Sequence, residues 1–262
     1  MDGKNAAKGE MEQTESLAQI ATQWSLLRLA HEDAVAGSQA ARQALLLRYS
    51  RAVRRFVGLL IKDSTAADDV AQDAMVRLMR GDFAKADAER GRFRDLLRHA
   101  IRNMVRNYWS RENRRAGVDL DEQQLAAEEA TQNELWEQQW TSVLLDSAWR
   151  GLEDYQRRNS TSMAYTVLRL RADHPDDDSE QLSGKLSCQL GRPVNAAATR
   201  QQLRRARLRF AQLLVEETAR GLALPTPAAV EEELMSLGLM EYVRDFLPAD
   251  WQTQGQLRAD EE

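Results

Sequence analysis

Apolar residues recur every three or four positions along most of the chain, and that spacing predicts helices throughout. Residues 1 to about 15 are polar and aperiodic, which predicts a disordered leader. Leu17, Ile20, Trp24, Leu27 and His31 then predict an N-terminal helix over Leu17 to Ala36. A second helix starts near Ser38 and puts Leu45, Leu46, Tyr49, Val53, Phe56, Val57 and Leu60 on one stripe. Thr65 to Asp68 reads as a capping box opening a third helix through Val70, Ala74 and Leu78, with its stop at Gly81. After a short loop, Asp82 to Glu89, a fourth helix gathers Phe93, Leu97, Ala100, Ile101, Met104 and Tyr108 on one face.

From Ala116 to Trp149 the pattern weakens. This stretch holds eight acids and no lysine or arginine, which marks a boundary and predicts a linker at least at its start. Trp136, Trp140 and Leu144 return to helical spacing. A helix near Ser160 to Arg171 follows, then a proline-broken acidic loop, then a helix opening at Ser179 and stopping at Gly191. Beyond the turn Arg192-Pro193-Val194, Asn195 is the expected N-cap of a long helix through Leu203, Phe210 and Leu214. Helix, glycine-containing turn and helix form a helix-turn-helix outline. The remaining tail suggests one or two short helices. The fold class is all-α, with two helical domains joined by an acidic linker.

Composition narrows the chemistry. A hydrophobic content of 43% suffices for real cores, and only 6% of the residues are aromatic. One cysteine, Cys188, excludes an internal disulfide, and with three scattered histidines it cannot build a tetrahedral zinc site. No signal-like N-terminus and no apolar run of roughly 18 residues is present, so a soluble, cytoplasmic protein with no membrane partner is expected. No cofactor is implied.

Charge changes the picture most. The chain carries a formal net charge of -5, yet Arg90 to Arg115 holds nine arginines against Asp95 and Glu112. At four-residue spacing Arg94, Arg98, Arg102 and Arg106 are expected to form a stripe opposite the apolar face of that helix, with Asn103 and Asn107 on its shoulder. The long C-terminal helix carries Arg200, Arg204, Arg205, Arg207 and Arg209 with no acid among them. Arginine stripes without interleaved acids neutralise phosphates better than they form intrahelical ion pairs. Tyr108 and Trp109 are equally suited to stacking on bases or to filling a core. The third helix is the opposite, displaying Asp68, Asp69, Gln72 and Asp73 within a turn and a half. Its DDxxxD spacing is similar to magnesium-diphosphate sites, but neither the second carboxylate cluster nor the large apolar pocket those sites need is visible.

Leu45 to Arg115 resembles region 2 of a sigma-70 family RNA polymerase sigma factor of the extracytoplasmic function group. The signature AEDLTQEVF is matched by Ala67-Asp68-Asp69-Val70-Ala71-Gln72-Asp73-Ala74-Met75. Leu168 to Leu214 resembles region 4, with Leu203-Arg204-Arg205-Ala206-Arg207-Leu208-Arg209-Phe210 matching its ending. Region 3 is absent, as in that group.

The resemblance implies a factor that binds core RNA polymerase and directs promoter recognition and melting, with no catalysis of its own. Asp68, Asp69, Gln72 and Asp73 would dock on the β′ clamp helices. Arg94, Arg98, Arg102, Asn103, Arg106 and Asn107, with the loop Asp82 to Glu89, would hold the −10 element of promoter DNA. Asn195, Arg200, Gln201, Gln202, Arg204 and Arg205 would reach the −35 major groove, and region 4 would also meet the β flap. An anti-sigma factor or another regulator is a further partner the resemblance leaves open. The corresponding domains are a leader and helix at 1–37, region 2 at 38–115, the acidic linker at 116–149, region 4 at 150–221 and an extension at 222–262. The rival reading is a helix-turn-helix DNA-binding regulator acting without polymerase core, which accounts for Arg200 to Arg209 but not for the Asp68/Asp69 face.

Overall fold

The computed structural model describes residues 23–30, 35–80, 92–116 and 122–246. Every regular element among them is a helix: α1 (Gln23–Leu29), α2 (Val35–Leu60), α3 (Ser64–Arg80), α4 (Phe93–Ala116), α5 (Glu122–Arg158), α6 (Ala164–Asp173), α7 (Ser179–Leu190), α8 (Ala196–Arg220), α9 (Pro227–Ser236) and α10 (Met240–Val243), followed by a 3-10 turn, Arg244–Phe246. The expected all-α class is what the chain adopts. The leader, the loop Asp82 to Glu89 and the end of the tail lie outside the described residues.

The chain divides into two compact units. Among the described residues, one comprises 23–143 with Ala219–Pro225, and the other Leu144–Thr218 with 226–246. The division falls inside the stretch expected to be a linker, but that stretch is helical from Glu122 onward. The reason lies in its residues: glutamate, glutamine, alanine and leucine are strong helix formers, and neither proline nor glycine interrupts them before Gly151.

In the first unit, α2 supplies the buried stripe Leu45, Tyr49, Ala52, Val53, Phe56 and Val57. α5 answers with Trp136 and Trp140. Tyr49 and Trp140 stack at 5.3 Å and 6°, Phe56 meets Trp136 at 5.0 Å, and Phe93 of α4 lies 5.3 Å from Tyr49. These aromatic pairs add to ordinary burial by about 0.5–1.5 kcal/mol each. α3 lies against α2 through Ala67, Ala71, Ala74, Met75 and Leu78. Its cap is not the expected Thr65 box. Asp63 caps instead, its carboxylate accepting from the Ala66 N–H at 2.8 Å. The unit closes with residues from far along the chain: the Phe93 N–H donates to the Gly221 carbonyl at 3.0 Å, and Arg92 and Leu222 form an isolated antiparallel bridge.

In the second unit, the end of α5 buries Leu144, Ala148 and Leu152. Trp149 meets Tyr165 of α6 at 5.9 Å and Phe210 of α8 at 5.0 Å, and Gly151 lets Leu213 come close to the α5 backbone. The expected start of α7 is present as a full capping box, with the Asp178 carboxylate accepting from Glu180 and Gln181 N–H groups and the Gln181 side chain accepting from Asp178 N–H. α7 ends on Gly191 at φ 64°, a left-handed position that favours glycine. The extension folds here too, burying Val230, Leu234, Leu239 and Val243.

Candidate functional site

In the first unit the surface begins with α3. Its alanines let it lie close on α2, so the opposite side carries Asp68, Asp69, Gln72 and Asp73, all exposed. Asp73 accepts from Arg77 Nε at 3.1 Å, one turn on. Between α3 and α4 runs an open groove of about 310 Å³ lined by Asp69, Asp73, Arg77, Asn107, Tyr108 and Arg111. It brings two of the acidic residues beside Asn107 of the other candidate set, which sequence spacing does not reveal. Tyr108 is half-buried in that groove and Trp109 is 37% exposed, with the two rings 5.3 Å apart. Neither is a core residue.

The arginine stripe of α4 is not uniform. Arg106, Asn103 and Asn107 are exposed, and Arg98 and Arg102 are partly so. Arg94 departs from the expectation: it is only 4% exposed, with Nη1 3.8 Å from the Glu137 carboxylate. Four-residue spacing advances about 40° around a helix at each step. The stripe therefore wanders, and its first member falls among Phe93, Leu97 and Ile101 on the buried arc. The Arg94 carbonyl is used as well, accepting from Trp136 Nε1 at 3.1 Å. Arg98 pairs with Asp95 at 3.0 Å, so part of its charge is met within α4.

In the second unit, the turn between α7 and α8 is tied by Ser187, whose hydroxyl accepts from Val194 N–H at 2.8 Å and donates to the Ser183 carbonyl at 2.7 Å. The sequence offers no signal for this beyond a serine one turn before the glycine. Asn195 caps α8, its side-chain oxygen accepting from Ala198 N–H at 2.8 Å. That carbonyl is thus engaged in holding the helix start. Arg200, Gln201, Arg204 and Arg205 are exposed along α8, and Gln202 is half-exposed.

One flank of α8 has company. Arg200, Arg204 and Arg207 line a groove of about 390 Å³ with Arg171 and Phe246, and the Arg207 guanidinium lies 5.8 Å from the centre of the Phe246 ring. Charge patterning finds the arginines but not the phenylalanine that the extension brings to them. Arg171 is also bound down, donating to the Pro175 and Asp177 carbonyls. Asp177 in turn takes Lys185 at 2.7 Å, and this hydrogen bond holds its carboxyl below the usual aspartate value.

Among the described residues no cluster of histidine, cysteine, aspartate or glutamate could hold a metal ion, and no helix is long and apolar enough to cross a membrane. Comparison with curated proteins and with solved structures finds no match. A family comparison does: residues 45–115 match sigma-70 region 2. The matched span, well under half of the chain, contains the acidic face of α3, the groove and the whole arginine stripe of α4, and the likeness is to that region 2 domain.

Proposed function

We propose that the chain is a sigma factor of the extracytoplasmic function group, acting in the cytoplasm, that binds core RNA polymerase and directs it to promoters. The observation that carries this reading is the pairing of two opposed surfaces on the matched domain: exposed carboxylates on α3 and an arginine- and asparagine-bearing α4 beside it. An acidic face repels DNA and suits a basic protein partner, for which the β′ clamp helices are the candidate. Arg98, Arg102, Asn103, Arg106 and Asn107 then hold the −10 element, with arginines on phosphates and asparagines free to bond unstacked bases. Arg94 is left out of that set because of its burial. In the second unit, Arg200, Gln201, Gln202, Arg204 and Arg205 address the −35 element, with Asn195 setting the start of the reading helix. Bond making is left to the polymerase. Joining two weak readers in one chain raises the effective concentration of the second once the first is bound.

The test is a titration of fluorescently labelled full-length protein with bacterial core polymerase, beside Asp68→Ala/Asp69→Ala. We expect tight binding by the unaltered chain and at least a roughly tenfold loss in the double variant, the cost of stranding charged partners at an interface. Unaltered chain that fails to bind core overturns the reading. The helical hairpin of α7 and α8 would then favour a helix-turn-helix regulator that binds duplex DNA alone.

A further inference from the structure

The extension after α8 places an aromatic ring among the arginines of that helix, and local chemistry fixes how the ring gets there. Thr226 caps α9, its hydroxyl accepting from the Ala229 N–H at 3.3 Å, and Pro227 fills the first helical position. After α9 the chain reverses at Gly238, whose φ of 66° is left-handed, and the Leu239 N–H returns to the Leu234 carbonyl at 2.8 Å. Val230, Leu234, Leu239 and Val243 are buried, so the extension is anchored without Phe246. Phe246, three residues past Val243, is only half-buried, and the centre of its ring lies 5.8 Å from the Arg207 guanidinium.

Arg207 belongs to a ridge. Arg200, Arg204 and Arg207 are spaced by four and then three residues, which puts them on one side of α8 over about 10 Å. No acid occurs on α8 before Glu216, so the ridge is cationic along its length. Arg200 and Arg204 are exposed, whereas Arg207 is half-buried, and the three line one groove with Phe246. A ring face attracts a guanidinium but offers no acceptor to its N–H groups, and a phosphate offers both charge and acceptors. Arg244 and Asp245, which precede the ring, are exposed and opposite in charge, so together they add no net charge beside it. The ring is thus a weak, reversible hold on one arginine of the ridge.

We propose that Phe246 is an autoinhibitory clasp: the extension keeps Arg207 against its ring and so withholds one phosphate contact from duplex DNA. The inference rests on the assignment of α8 to duplex DNA. A phosphate backbone laid along the ridge reaches Arg200 and Arg204 directly but meets the ring at Arg207, so full contact requires the clasp to open. The second unit is thereby restrained from binding DNA on its own.

The test measures binding of the full-length chain, without polymerase, to a mixed-sequence duplex oligonucleotide over a range of salt. Phe246→Ala is expected to bind about two- to fivefold more tightly, the size of one exposed cation–π contact. Its slope of log K against log salt is expected to steepen by about 0.9, as one added phosphate contact requires. Phe246→Leu keeps an apolar side chain but no ring face for the cation, and it is expected to gain in the same direction, so a loosened extension does not decide the result. In an Arg207→Gln chain, Phe246→Ala is expected to gain nothing. Unchanged or weaker binding in both Phe246 variants overturns the proposal, as does a gain that persists in Arg207→Gln or the absence of duplex binding by every chain. The polymerase titration tests the sigma reading on α3, a different helix, so the two failures are distinguishable.

Discussion

Trp136 performs two tasks from one buried position: its ring lies against Phe56 and Trp140, and its indole N–H donates to the Arg94 carbonyl. The two separate by substitution. Trp136→Phe keeps most of the ring and loses the hydrogen bond, so thermal or urea unfolding should show a loss of about 1 kcal/mol with some added packing cost. Trp136→Ala should lose about 3–5 kcal/mol, enough to lower the melting temperature by several degrees or more. Equal losses in the two variants would show that the ring contributes little. Individual residues were unevenly legible in the sequence. The acids of α3 stand exposed where helical spacing puts them, whereas Arg94 shows that a run of one residue type at fixed spacing drifts around a helix and can enter the core. Sequence spacing also says nothing of Glu137, 43 positions later, which meets it.

At the scale of elements, local chemistry was most legible where a cap or a stop is spelled out in adjacent residues. Asp178 with Gln181, Gly191 and Asn195 all act at the positions their types favour, because each needs only neighbours within four residues. The stretch expected to begin as a linker was less legible: it is helical from Glu122, because an acidic run says that one face is wet, not that the backbone lacks a helix. α7 is also fastened across the preceding loop by Lys185 and Asp177. The Asp177 carboxyl is held below its ordinary value, chiefly by the hydrogen bond from Lys185. A depressed folded-state value means that the pair stabilises the fold above the unfolded carboxyl range and that this contribution is lost as pH falls through the folded value. Urea midpoints measured from neutral to acid pH should therefore fall less steeply in Lys185→Met than in the unaltered chain over the acid end. Parallel curves would mean that the pair adds nothing.

At the scale of the molecule, the family match ends at residue 115, but the unit containing it does not. Trp136 and Trp140 fill its core from α5, and Gly221 and Leu222 seal the start of α4. A fragment covering 38–115 should thus show little cooperative unfolding by circular dichroism. The full chain should unfold with burial of its tryptophans reported by fluorescence. A sharp, reversible transition in the fragment would contradict this account. Such distant contributions are invisible to pattern reading, which finds faces but not which faces meet.

The seam at Phe93 and Gly221 also sets an order of events during synthesis. Gly221 leaves the ribosome 128 residues after Phe93, so α4 waits through the translation of everything between before its first residues find their permanent neighbour. The unit that holds α4 is begun early and closed late, so it is completed only once α6, α7 and α8 have been built.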